Sequence, residues 1–146
     1  MENSIFSKLP ANWAVCMQAD CPLHEDCLRF QTFGIINSRY TQQRCVLPSA
    51  RSGQKCRYHI PFAKVTVAWG MRELLSGVRD SDATQMRTRI KAHFKSRSTY
   101  YRYYNGRYPI SPAQQRAIRR IFKSFGYNPE SVRFDREEED YFFPHS

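Results

Sequence analysis

Five cysteines fall within the first 56 positions, at Cys16, Cys21, Cys27, Cys45 and Cys56, and His24 and His59 stand beside them. Thiolate and imidazole are the ligands zinc selects, and four of them close a tetrahedral structural site. The spacing Cys16-x4-Cys21-x5-Cys27, followed by Cys56-x2-His59, supplies more ligands than one ion needs. The expected set is Cys16, Cys21, Cys27 and Cys56, with Cys45, His24 and His59 as substitutes. An iron–sulfur cluster on the same thiolates is the rival cofactor. Plain burial of inert thiols is the alternative to both. No nucleophile signature surrounds any of the five, so no catalytic cysteine is expected. Residues 1–10 hold no apolar run of signal-peptide length, and no stretch approaches the roughly 18–20 apolar residues of a membrane span. The expectation is a cytoplasmic chain without membrane association. Its thiols then stay reduced, which sets metal binding or burial ahead of a disulfide framework.

A second chemistry lies downstream. Residues 83–129 contain eleven of the chain's 23 Lys and Arg and none of its 13 acids, so the remainder carries 12 basic against 13 acidic residues. The net charge of +10 is therefore concentrated in one window. Clustered cations repel one another unless a polyanion neutralises them, and this pattern is the footprint of a nucleic-acid-binding surface. Within the window, Arg97 and Arg102 have the chemistry for a bidentate grip on guanine or for a phosphate. Ser98 and Tyr101 can hydrogen-bond bases or backbone, and Asn105, Arg107, Arg116, Arg119 and Lys123 are suited to phosphates. A basic helical face can also be no more than a solvated surface over an ordinary core.

The elements that must position these residues are punctuated clearly in the second half. Asp80, Ser81 and Asp82 offer caps for a helix to about residue 95, with Met86, Ile90 and Phe94 on one face. Ser96 caps a second helix over 97–105, stopped by Asn105-Gly106. Ser111-Pro112 opens a third, running to Phe125 with Ile118, Ile121 and Phe122 on its apolar face. Helix, short turn, short helix, loop and longer helix is the layout of a helix-turn-helix, whose middle helix would enter the major groove. The first sixty residues read as loops with one helix over 25–33, ended by Gly34. Residues 64–69 alternate as a short strand, Gly70 breaks it, and 71–78 reads as a helix. Glu137 to Asp140 reads as a solvated acidic run; a sharper possibility is that it folds back onto the basic face.

Two resemblances follow from these motifs. Thr99, Arg102, Asn105, Ile110-Ser111-Pro112, Ile118 and Gly126-Tyr127-x-Pro129, with Ser96 as cap, resemble the DNA-binding segment of the lac-repressor (LacI) family over residues 99–130. That likeness implies a helix-turn-helix. The chain departs from the pattern at Tyr101, where the family has serine, and at Phe94, where it has a turn glycine. The whole chain resembles a family of short bacterial proteins of uncharacterised function. The shared motifs are Cys16, Cys21-Pro22 and Cys27-Leu28-Arg29, then Tyr100-Tyr101-Arg102 through Ile118.

The expected architecture is mainly α. A Cys-rich module over 1–60, a connecting strand and helix over 61–81, a basic helix-turn-helix-like unit over 82–127 and a tail over 128–146 make up the chain. The module is expected to pack on the three-helix unit. The expected function is non-enzymatic DNA binding, as a transcriptional regulator or accessory factor. One short helix reads DNA weakly, so a homodimer or partner protein is expected. The alternatives are a metal-binding module that docks an acidic protein, and an RNA-binding protein that stacks bases on its tyrosines.

Overall fold

Two-residue backbone ladders and one short helix make up most of the regular structure before Lys64, and a longer sheet with three helices follows Val65. The computed structural model describes residues 8–144. The reading of the extreme N-terminus, for residues 1–7, and the last two residues of the expected tail lie outside the described residues. The chain divides into two compact units between Lys64 and Val65.

In the first unit, β1 (Ala14–Val15) pairs in parallel with β2 (Arg44–Cys45), and β3 (Arg51–Ser52) pairs antiparallel with β4 (Lys55–Cys56) across Gly53. Helix α1 (Leu28–Ile36) follows a single 3-10 turn at His24–Asp26. Cys27 has no side-chain cap to offer, but Ile60 O accepts the Leu28 N–H at 2.8 Å and satisfies one of the orphan donors at the helix start. The helix begins later than residue 25 and runs through Gly34, because Leu28, Thr32 and Ile36 form a continuous buried row. Trp13 Nε1 donates to Thr32 Oγ1 at 3.0 Å, and that hydroxyl donates back to Leu28 O at 2.8 Å.

In the second unit, β5 (Val65–Trp69) pairs antiparallel with β6 (Arg136–Asp140), from Val65 opposite Asp140 to Trp69 opposite Arg136. On its other edge β5 is bridged by Ile110: Ala68 and Ile110 exchange N–H···O bonds of 3.2 and 2.7 Å. The buried Gln115 side chain donates to Thr66 O at 2.9 Å and Ile110 O at 3.0 Å, tying the next helix to this strand. Helices α2 (Asp80–His93), α3 (Arg97–Tyr104) and α4 (Pro112–Ser124) lie between the two strands in sequence. Their starts are the ones the caps dictate. Ser96 Oγ accepts Thr99 N–H, and Ser111 and Gln114 form a reciprocal capping box with Pro112 at the first helical position. Met86, Ile90, Ile118 and Phe122 meet in one cluster with Ile110, Val132 and Phe134.

The architecture is mixed α/β and not mainly α. Among the described residues four helices accompany three two-stranded sheets. Two features produce the difference. Residues 71–78 form turns and no helix. Asp135 captures the backbone there: its carboxylate accepts Arg72 N–H at 3.1 Å and Glu73 N–H at 3.0 Å, and its own N–H reaches Gly70 O at 3.1 Å. Gly70 sits at φ +82°, and a Cβ on it would fall 2.4 Å from Asp135 Oδ2. The acidic run, read as a solvated tail, is strand β6. No helix among the described residues is long and apolar enough to cross a membrane.

Candidate nucleic-acid interface and candidate metal centre

Helix α3 turns Tyr100 and Tyr103 into the core, where Phe94 packs against both with ring centroids 6.0 and 4.6 Å away. Phe94 has φ −100°, so the turn needs no glycine, and the phenyl ring fills core volume that a glycine would leave empty. With those tyrosines inside, Arg97, Ser98, Arg102 and Asn105 are exposed and Tyr101 is half-buried. Lys91, at the end of α2, brings its ammonium 5.4 Å over the Tyr100 ring and 5.5 Å over the Tyr101 ring. The Arg97 guanidinium, one turn earlier on α3 itself, lies 5.7 Å over Tyr101. The Lys91 charge first, and a hydrogen bond from Arg97 second, hold the Tyr101 phenol below its ordinary pKa. Arg102 stacks 5.4 Å over the Tyr108 ring and donates to its hydroxyl, which fixes an exposed guanidinium in place. Arg107 is anchored at the helix end by its N–H to Arg102 O at 2.8 Å. Among the described residues none of Lys91, Arg97, Arg102 and Arg107 has a carboxylate within 4.0 Å.

The stripe on α4 differs. Arg119 reaches Glu137 of β6 at 4.0 Å and lies 5.8 Å over Phe134, so one expected phosphate contact is neutralised within the chain. Arg116 and Lys123 remain exposed. Asn105 Oδ1 accepts from Arg72 at 3.2 Å, which occupies it with a cation from outside the acid-free window. The candidates thus separate into a cationic corner, where α2 meets α3, and a stripe on α4 beside an acidic strand. Lys91 is absent from the expected contact set, whereas Tyr108 follows Arg107 in the loop, where a phosphate contact is expected. The signal for Lys91 is its distance of six residues from Arg97, which becomes spatial proximity only once the turn is formed. No sequence signal marks Arg72.

In the first unit, Cys16, Cys21, Cys27 and Cys56 line one cavity of about 20 Å³, together with His24 and His59. All five thiols are free. Backbone bonds hold the segments around this space: Cys16 N–H to Arg29 O at 3.1 Å, Cys21 N–H to Gln18 O at 3.2 Å, and an antiparallel bridge from Cys27 to Pro61. Burial pushes the Cys16 thiol above its ordinary pKa; a backbone hydrogen bond from Gln18 opposes that shift, and neighbouring Cys27, Cys45 and Cys21 add to it. Cys45 does not line the cavity and donates its S–H to Val46 O at 3.4 Å. His24 Nδ1 donates to Cys21 O at 2.7 Å and His59 Nε2 donates to Asp26 O at 2.8 Å. Each imidazole is therefore committed to the backbone through one ring nitrogen. Among the described residues no three Cys, His, Asp or Glu side chains stand ready to hold an ion: the thiols share walls but do not converge.

Arg29 is the residue of this cavity that the metal-ligand pattern leaves out, although it sits two positions after Cys27. Its Nε donates to Tyr58 O at 2.8 Å and its NH1 to Ala14 O at 2.7 Å, and the guanidinium stacks 4.2 Å over Trp13. Burial pulls its pKa below the ordinary arginine value, with Cys27 and Cys56 opposing that shift.

No curated protein and no solved structure matches the chain. A family model covers residues 1–143, and by that match the chain belongs to a family of unknown function (DUF6078).

Proposed function

We propose that the chain binds duplex DNA as a non-enzymatic regulator or accessory factor in the cytoplasm, through the cationic corner formed by the end of α2 and the outer face of α3. The observation that carries this reading is the combination of Lys91, Arg97, Arg102 and Arg107 with tyrosines as their neighbours and no carboxylate within 4.0 Å among the described residues. A cation stacked on an aromatic ring keeps its charge and its outward N–H donors. It gains its full electrostatic stabilisation only when an anion arrives from outside the chain. Arg102, braced by Tyr108, is pre-organised for the fork geometry that guanine or phosphate requires. Arg97 and Ser98, at the start of α3, stand where a groove-entering helix makes its base contacts. Arg116 and Lys123 add phosphate contacts from α4, whereas Arg119 contributes less because Glu137 already engages it.

The test is fluorescence anisotropy with labelled duplex DNA of random sequence at low salt, for the wild type and for Arg97→Ala/Arg102→Ala. Both side chains are exposed, so the double variant should keep the wild-type thermal transition. It should weaken binding by about 100-fold, at roughly 1–3 kcal/mol per contact. Unchanged affinity would remove α3 from the interface. Stronger competition by single-stranded RNA than by duplex DNA would reassign the surface to unpaired bases stacking on Tyr101 and Tyr108.

A further inference from the structure

We propose that the first unit holds one zinc ion on the thiolates of Cys16, Cys21, Cys27 and Cys56, with the Arg29 guanidinium as its counter-charge. Three observations converge on this site, none of which depends on DNA binding.

The first is placement. Four cysteines line the same cavity, whereas the fifth, Cys45, is not among its lining residues and bonds Val46 O. The cavity of about 20 Å³ has room for one water-sized occupant. That space is sufficient for a single ion. The thiols share the walls without converging, so holding the ion requires their side chains to turn inward to other staggered rotamers.

The second is charge. Arg29 lines this cavity, is half-buried, and among the described residues has no carboxylate within 4.0 Å. A guanidinium stays protonated in proteins, and buried charges are normally paired. A zinc ion with four thiolates carries two net negative charges, which supplies the missing anion next to Arg29. On binding, four S–H groups release their protons to water as four Zn–S bonds form, and nothing is oxidised or reduced. His24, bonded to the carbonyl of Cys21, then serves to fix a ligand's backbone, as outer-shell groups do.

The third is the thinness of the core. Apart from the cysteines, the first unit buries little more than Trp13, Val15, Leu28, Ile36 and Val46, and its sheet ladders are two residues long. A small module with so thin a core gains most from a staple, a metal or disulfides, and here all five thiols are free.

The experiment is a cobalt(II) titration of reduced, metal-free full-length protein. The wild type should take up one ion per chain with the visible absorption of a tetrahedral thiolate site, and zinc should displace the cobalt and bleach the colour. Cys45→Ser should keep both the stoichiometry and the spectrum. Cys16→Ser and Cys56→Ser, at half-buried positions, should weaken zinc at least 100-fold. Native mass spectrometry of the unmodified protein in zinc gives a readout that does not depend on any variant folding, and should show one zinc per chain. Absence of saturable metal uptake by the wild type would overturn the proposal. Loss of binding in Cys45→Ser with retention in Cys56→Ser, or iron with acid-labile sulfide in place of zinc, would overturn it equally.

Discussion

In the second unit thirteen buried side chains, Met86, Ile90, Ile118 and Phe122 among them, form one apolar cluster, and the cations stand outside it on α2, α3 and α4. In the first unit the centre is a cavity walled by thiols, with a guanidinium beside it and a short apolar row along α1. The contrast separates two uses of charge. A unit stabilised by its own core can tolerate unbalanced cations on its surface, where they are available to an external polyanion. A unit with little core holds one such cation, Arg29, half-buried beside its thiols, where the proposed zinc–thiolate centre would supply the counter-charge.

Metal removal should separate the two units most sharply. With zinc chelated, protection of amides from hydrogen exchange should collapse over residues 8–64 and stay unchanged over 65–144. Structural zinc contributes about 10 kcal/mol in comparable small modules. Equal loss of protection in both units would abolish the distinction. The converse perturbation is Ile118→Ala, which empties a fully buried position of the second unit. It should cost about 2–5 kcal/mol in urea unfolding and leave cobalt uptake by the first unit intact. Gly70→Ala belongs to the same class. It places a methyl against the Asp135 carboxylate at a left-handed φ and should cost about 1–3 kcal/mol from strain alone.

Smaller effects probe the surface of the second unit. Glu137→Gln removes the partner of Arg119. Stability should change by less than about 1 kcal/mol, as for a partly exposed pair, while DNA affinity at low salt should rise by up to about fivefold. A fall in affinity would mean that the strand orients Arg119 toward DNA. The smallest expected effect is on Tyr101. Lys91 and Arg97 favour its phenolate, so the stabilisation they give is present above the ordinary tyrosine value of about pH 10 and is lost as pH falls through the lowered value. At neutral pH it contributes nothing. Ultraviolet titration of Lys91→Ala should move one tyrosine step upward; an unmoved step would disconnect Lys91 from that ring.

The helices of the second unit were legible because their signals are local. Ser96, Ser111-Pro112 and the rows through Met86 and Ile118 each act within one or two turns, and observed α3 and α4 agree with expectation to within a residue or so. Strand β5 was legible for the same reason, as alternation over residues 64–69. Strand β6 was not. Its Arg-Glu-Glu-Glu-Asp sequence has no apolar period, and its extended form is secured by pairing with a strand some seventy residues earlier and by the Thr66 hydroxyl bonding Glu139. The turns over 71–78 depend in the same way on Asp135, some sixty residues away. In the first unit, two-residue ladders leave no periodicity to read. The four favoured cysteines line one cavity without converging, and Arg29 gains its meaning only from where the fold puts it. At the cationic corner, composition marked the window, and the fold divided it by pairing Arg119 with Glu137 while leaving Arg97 and Arg102 among tyrosines.

The most direct measurement of DNA binding through this corner is the affinity of the wild type for a random-sequence duplex between 50 and 200 mM salt. Six phosphate contacts, by Lys91, Arg97, Arg102, Arg107, Arg116 and Lys123, predict a slope of log K against log salt of about −5, a loss on the order of 1000-fold across that range. In Arg97→Ala/Arg102→Ala the slope should fall by about a third. No binding at 50 mM salt, or a slope that the double variant leaves untouched, would contradict a nucleic-acid role for this face.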